Sequence, residues 1–106
     1  FAEAQDLSDY NFLEVSINFE SPNNRCNFDM RDISNKLSFV RLGIGQVFNS
    51  DISVSIDGNT QTVKIPLNTY YSAINRNAVR DMGCSASTEF SQGKHSYTVS
   101  NVNFLK

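Results

Sequence analysis

The sequence contains no tryptophan, a single histidine, two cysteines and two prolines, and its apolar runs are short. A structural zinc site takes four cysteine or histidine ligands, more than the chain has, so we expect no metal and no other cofactor. No apolar stretch approaches the ~20 residues that span a bilayer, so we expect no membrane insertion. Five glycines and the lack of sustained heptads exclude the collagen and coiled-coil classes.

The composition is that of one folded domain. The 106 residues match the commonest domain size, and 40% of them are hydrophobic. A disordered chain would have fewer apolar residues and a larger charge imbalance than the net −2 of this chain. We therefore expect a single domain over residues 1–106, in which residues 1–10 could form a loose acidic arm.

The two cysteines, Cys26 and Cys84, are far apart and lack the spacing of a redox or zinc motif. We expect them to form a disulfide, which would constrain a long loop of the unfolded chain and contribute ~4 kcal/mol to stability. Disulfides persist in secreted and periplasmic proteins and are rare in the cytosol.

Other features of the sequence bear on the compartment. The polar residues are rich in asparagine and serine, and no asparagine lies in a glycosylation sequon, which favours a bacterial source. The first residue is Phe1, which fits a mature protein after signal-peptide removal and a trimmed domain equally well. We expect a bacterial protein of the periplasm or the cell exterior.

Strict alternation of apolar and polar residues predicts strands in three regions. Residues 13–20 alternate throughout, which is typical of a strand with one buried face. Alternating runs at 52–57 and 63–67 flank Asp57-Gly58-Asn59, which predicts a β-hairpin. A last strand is predicted over 97–104, with a bulge between Val99 and Val102, where the alternation slips.

Helical spacing predicts one main helix over about 69–82. Asn68 or Thr69 would cap its beginning, and Gly83 would end it in a left-handed conformation. Tyr71 would then lie in the core, and the adjacent Tyr70 would be partly exposed.

Residues 28–48 fit either one long helix or shorter elements. Gly43 and Gly45 would each cost a helix interior ~1 kcal/mol, so we predict a short helix at 30–37 and a strand at 38–48. The predicted fold class is α+β: an antiparallel sheet of four to five strands with one main helix, pinned by the disulfide. A β-sandwich is the alternative.

Charge is distributed unevenly along the chain. The first 20 residues carry five acidic side chains and no lysine or arginine, and all nine basic residues follow them. An acidic edge of this kind can steer a protein towards a basic cleft of an enzyme, and exposed tyrosine is common in interfaces. The residues predicted to contact a partner protein are therefore Glu3, Asp6, Asp9, Glu14, Glu20 and Tyr70.

The same charge balance limits the other partners. Nucleic-acid binding selects basic surfaces, and this chain has a pI near 5.2, so we expect no nucleic-acid partner. The sequence leaves monomer and homodimer both open.

One set of residues could support catalysis. Small microbial ribonucleases use a glutamate base, a histidine acid and an arginine that holds phosphate, and Glu89, His95 and either Arg76 or Arg80 have those residue types. Their spacing is loose, and the chain has neither a G-x-S-x-G elbow nor a phosphate-binding glycine loop. We therefore expect no enzyme, and a small ribonuclease-like hydrolase is the weakest alternative.

Two resemblances lead to the functional hypotheses. Gly93 is the fourteenth residue from the C-terminus and precedes alternating apolar residues, which resembles the terminal strand of chaperone–usher pilus subunits, although Leu105 replaces their penultimate aromatic. That resemblance implies a structural role as a pilus subunit, and the periplasmic domain of a membrane-anchored regulator is a related alternative.

In overall make-up the chain resembles the periplasmic inhibitor and immunity proteins that bacteria keep against cell-wall hydrolases. This resemblance rests on the small disulfide-bonded scaffold, the acidic N-terminus and the lack of a catalytic motif. It implies a protein that neutralises a partner, such as a hydrolase or a delivered toxin, by blocking its cleft. This is the leading hypothesis.

Overall fold

The computed structural model describes residues 3–85 and 97–106, which form seven β-strands and little helix. The strands are β1 (Phe12–Phe19), β2 (Cys26–Asp32), β3 (Leu37–Leu42), β4 (Ser53–Asp57), β5 (Thr60–Pro66), β6 (Val79–Ser85) and β7 (Tyr97–Leu105). Within these ranges, helical structure consists of α1 (Leu67–Tyr70) and a 3₁₀ turn, Arg76–Ala78.

The strands form two antiparallel sheets. One sheet has four strands in the order β4-β5-β1-β7, and the other has three in the order β3-β2-β6. Apolar side chains from both sheets form one core, which includes Val15 and Ile65 of the first sheet and Phe28 and Leu42 of the second. The fold is therefore sheet-rich, and the predicted α+β arrangement of one sheet with one main helix matches it only loosely.

The elements predicted from strict alternation are confirmed. Strand β1 buries Leu13, Val15, Ile17 and Phe19 and turns its other side chains outward. Strands β4 and β5 form the predicted hairpin, which pairs Asp57 with Thr60 around Gly58 and Asn59. The predicted bulge lies in β7, where Ser16 pairs with Asn101 but Ile17 pairs with Val99, so that Ser100 is the extra residue.

The main helix predicted over about 69–82 is wrong. The helical segment ends at Tyr70, and residues 79–82 of that range belong to strand β6, which pairs with β2. Tyr71 leaves the helix to bury its ring in the core, where its hydroxyl donates to the Phe28 carbonyl at 2.7 Å. Tertiary pairing and burial therefore override the local helical spacing. Gly83, the predicted helix end, lies within β6.

The short helix predicted at 30–37 is also wrong. Strand β2 continues to Asp32, and residues 33–36 form a tight turn into β3. Asn35 has a φ of 65° in that turn, a conformation that asparagine tolerates better than most residues. The predicted strand at 38–48 is shorter than expected, since β3 ends at Leu42.

The predicted disulfide is confirmed. Cys26 and Cys84 are bonded, with their Cα atoms 5.4 Å apart, and they join the neighbouring strands β2 and β6. The bond therefore cross-links two neighbouring strands within the three-stranded sheet. Cys26 is completely buried, so the bond lies against the core.

Candidate functional site

The acidic residues of the N-terminal segment are exposed, but their backbone is held in place. Gln5 forms two backbone hydrogen bonds with Val79, the Leu7 amide donates to the Arg76 carbonyl, and the Leu7 side chain is buried. Glu3, Asp6 and Asp9 project from this segment. Hydrogen bonds from Ser8, first of all from its hydroxyl, hold the pKa of Asp6 below its usual value.

The other two acidic residues predicted to contact a partner lie elsewhere. Glu14 is half-buried on the outer face of β1, opposite Lys64 and Asn103, and Glu20 is exposed just after the end of that strand. Six residues of extended chain span about 20 Å, so these two carboxylates lie far apart. The structure thus distributes the five acidic side chains over both ends of β1, and their contact with a partner stays a prediction.

Tyr70 occupies a different environment from the acidic residues. It is the last residue of α1, and its hydroxyl donates to the Asp51 carboxylate at 2.6 Å and accepts from the Asn49 amide at 3.1 Å. The bond to Asp51 raises the pKa of Tyr70, because it stabilises the protonated phenol. Tyr70 is half-buried and Tyr71 fully buried, as predicted. The tyrosine therefore ties α1 to the loop at 43–52.

The ring of Tyr70 lines a small cleft between β3 and that loop, which we call the Tyr70 cleft. Its apolar walls come from both elements, and its volume is about 220 Å³. Val47 is 88% exposed and Phe39 is 48% exposed, which is unusual for apolar side chains. The side chains that line the cleft include Phe39, Arg41, Val47, Phe48, Ile52 and Tyr70.

Two buried contacts fix the loop that forms one wall of the Tyr70 cleft. The Gln61 side-chain amide, on β5, donates to the Gly43 carbonyl at 2.7 Å and accepts from the Gly43 amide at 3.1 Å. The Arg25 side chain lies across Gly43 and Gly45, and a Cβ added to Gly43 would come within 2.8 Å of the Asn24 carbonyl oxygen. A side chain at position 43 would therefore clash with backbone, which explains the glycine there.

The size and lining of the Tyr70 cleft indicate what it can accept. Pockets for small molecules usually enclose about 300–1,000 Å³, so this cleft is better matched to one inserted side chain of a macromolecule. Arg41, whose Nε donates to the Asn27 side chain at 3.5 Å, is its charged wall. Exposed apolar side chains around such a cleft are the features of a protein-interaction surface.

Of the residues considered for catalysis, Arg76 and Arg80 lie in the described part of the chain. Arg76 donates to the Asn68 side chain and to the Tyr10 carbonyl, and Arg80 pairs with Asp81 at 3.2 Å. Glu89 and His95, like Gly93 of the pilus-type pattern, lie outside the described residues. Within residues 3–85 and 97–106, no group of three or more histidine, cysteine or acidic side chains could hold a metal ion.

Sequence reasoning identified Tyr70 but missed the rest of the Tyr70 cleft. Val47 and Phe39 cannot be distinguished from core residues in the sequence, because an apolar residue type does not show whether its side chain is buried or exposed. Gln61 gave no signal either, since its role depends on a loop 18 positions earlier in the chain. The pair Gly43 and Gly45 was a usable signal, since closely spaced glycines often mark a close approach of backbone to another group.

No family model, no curated protein and no solved structure matches the chain. Among the described residues, no helix has the length and apolar character needed to cross a membrane.

Proposed function

We propose that the protein is a secreted or periplasmic binding protein that recognises another protein through the Tyr70 cleft and blocks that partner sterically. The observation that carries the proposal is the exposure of Val47 and Phe39 at the rim of the cleft. Their exposure is costly in water, and burial against a partner would recover roughly 25 cal/mol for each Å² covered.

The setting of the cleft supports a rigid recognition site. The loop at 43–52 is held at Gly43 by Gln61, and at Asn49 and Asp51 by Tyr70. A surface held in its binding conformation loses little entropy when it associates. This favours recognition by a preformed surface, as in inhibitors that occlude an enzyme cleft.

The compartment is part of the proposal. The Cys26–Cys84 bond is compatible with a protein that matures in an oxidising environment. Intact mass after thiol alkylation, with and without reductant, tests this on protein recovered from its native compartment. The proposal requires that both cysteines resist alkylation until they are reduced, and free alkylation of both in denaturant would contradict it.

The test of recognition compares two substitutions of exposed apolar residues by glutamate. Immobilised wild-type protein, Val47→Glu and Ile33→Glu are exposed to the extracellular or periplasmic fraction of the source cells. Ile33 is 58% exposed in the β2–β3 turn and does not line the cleft, so it is the matched control.

We expect a protein that wild type and Ile33→Glu retain and that Val47→Glu binds at least about tenfold more weakly. That protein is then assayed with and without the binder, and inhibition of its activity is the expected result. Equal retention by all three forms, or retention of nothing, would contradict recognition through the cleft.

A further inference from the structure

Within residues 3–85 and 97–106, the two sheets have four edge strands, and three of them are protected against pairing with another chain. Strands β6 and β7 each contain a bulge, and the beginning of β6 is also covered by the bridge between Gln5 and Val79. Strand β3 follows Lys36 and contains Arg41, and charged residues at an edge discourage pairing. Bulges and charges of this kind are the usual protection of sheet edges.

The fourth edge, β4, has no such protection among the described residues. All five of its residues are exposed, including Val54 at 40% and Ile56 at 50%. Its register with β5 is regular, and its first four residues carry neither charge nor proline. An exposed, regular and apolar edge is a template for another strand.

The hairpin geometry shows which backbone groups of β4 face outward from the sheet. Gly58 has a φ of 61°, and the first position of a two-residue type II′ turn requires such a positive φ. In such a hairpin the flanking pair, Asp57 and Thr60, is hydrogen-bonded, and hydrogen-bonded pairs then alternate along the ladder. The amides and carbonyls of Val54 and Ile56 therefore point to the open edge.

We propose that β4 pairs antiparallel with β4 of a second copy of this chain, with the two-fold axis at Ser55. In this register Val54 lies opposite Ile56 of the second copy, and both residues present free backbone groups. Ser53 lies opposite Asp57 of the second copy, so a hydroxyl donor faces a carboxylate acceptor. The strand is thus complementary to itself in side chains as well as in backbone.

Self-pairing would produce a continuous sheet of eight strands across the dimer. Each copy contributes the same residues to the interface, as two-fold symmetry requires. Residues 53–57 do not line the Tyr70 cleft, and the pairing uses none of the contacts that form it. The inference therefore does not depend on the proposed function.

The first test measures association of the intact protein by sedimentation equilibrium over a concentration series. The variants are Ile56→Lys and its matched control Ile33→Lys, which places the same charge at a similarly exposed isoleucine. We expect dimers of wild type and Ile33→Lys, and a dimer dissociation constant at least tenfold higher for Ile56→Lys. A monomeric wild type at millimolar concentration, or equal association of all three forms, would overturn the proposal.

The second test measures the register. A non-hydrogen-bonded antiparallel pair has its Cα atoms about 4.5 Å apart, within the range that a disulfide spans. We expect Ser55→Cys to cross-link to itself on mild oxidation, while Ser53→Cys does not, because position 53 lies opposite position 57. Peptide mapping confirms that the Cys26–Cys84 bond is intact in both variants. Equal cross-linking of the two variants would overturn the register and with it the proposed pairing.

Discussion

The two sheets of this protein differ in what they show to solvent. The outer face of the four-stranded sheet is polar: Ser16 and Thr62 share a hydrogen bond of 2.8 Å across the strands, and Asn18 donates to Thr60 at 2.9 Å. The outer face of the three-stranded sheet exposes two apolar side chains of β3, Leu37 at 44% and Phe39 at 48%.

This difference separates a scaffold face from a candidate recognition face. Cross-strand polar pairs keep an outer face in water at little cost, and the four-stranded sheet uses them on its central strands. The three-stranded sheet also has such a pair, since the Ser85 hydroxyl donates to the Asp29 carboxylate at 2.7 Å. Its β3 strand nevertheless exposes Leu37 and Phe39, and Phe39 lines the Tyr70 cleft. It is also the sheet that carries the disulfide. We infer that the disulfide reinforces the smaller sheet because it has fewer strands.

The largest expected effect comes from removing that reinforcement with the double substitution Cys26→Ala and Cys84→Ala. The bond closes a loop with a sequence separation of 58, for which chain entropy predicts a loss of ~4 kcal/mol. Urea unfolding of wild type and variant measures the difference. Because domains of this size are stable by ~5–15 kcal/mol, the variant should be close to its limit at 37 °C.

Hydrogen exchange on the same variant tests whether the two sheets respond differently. We expect the amides of β2 and β6 to lose more protection than those of the β4–β5 hairpin, which the bond does not touch. Equal loss in both sheets, or a loss of stability below ~1 kcal/mol, would contradict the distinction between them.

The next effect in size concerns Gln61, which connects the two sheets. The residue belongs to β5 of the four-stranded sheet, and its amide satisfies both backbone groups of Gly43, just beyond the end of β3. Gln61→Leu replaces the polar amide by an apolar group of similar volume and leaves two buried backbone groups of Gly43 without partners. We expect a loss of ~2–4 kcal/mol in urea unfolding.

Thr62→Val is the control for Gln61→Leu. It removes the adjacent hydroxyl, which bonds to Ser16 on the outer face, where water can replace the partner. We expect this change to cost less than ~1 kcal/mol. If the two variants were equally stable, the contrast between a buried connection and a solvated outer face would fail.

The strands that have one buried and one solvent-exposed face were predictable from the sequence. Most of the three-stranded sheet was not. In β1 and in the hairpin, alternation is visible because polar residues fill every second position. In 28–48 the apparent helical spacing includes Ile33 and Leu37, which are 58% and 44% exposed and take no part in the core. Exposed apolar residues outside the core therefore produced the false helical period.

The candidate site was predictable only at Tyr70, and the reason is similar. The helical spacing through Tyr71 and Ile74 arises from two side chains that are buried from an irregular segment, each for its own tertiary contact. The cleft itself depends on the Gln61–Gly43 and Tyr70–Asp51 contacts, which join residues 18 and 19 positions apart. Contacts between side chains at such separations are not encoded in any local period.

The smallest expected effect is a pH dependence located in the three-stranded sheet. The Asp32 carboxylate ends β2 and accepts backbone amides from Asn75 at 2.8 Å, Ser34 at 2.8 Å and Lys36 at 3.1 Å. These bonds, first of all that from Asn75, hold the pKa of Asp32 below the usual 3.8. A lowered pKa in the folded state means that the carboxylate stabilises the fold above its unfolded pKa and loses this contribution as pH falls through its folded pKa.

The test is the stability difference between wild type and Asp32→Asn, measured by urea unfolding from pH 7 down to pH 2.5. We expect wild type to be the more stable form at pH 7, because asparagine offers the three amides one neutral oxygen and a competing donor. The difference should be constant down to about pH 4 and then shrink, since the protonated aspartate resembles the amide. A stability difference that stays constant down to pH 2.5 would show that Asp32 acts through its shape rather than its charge. The turn after β2 would then not be sensitive to acid.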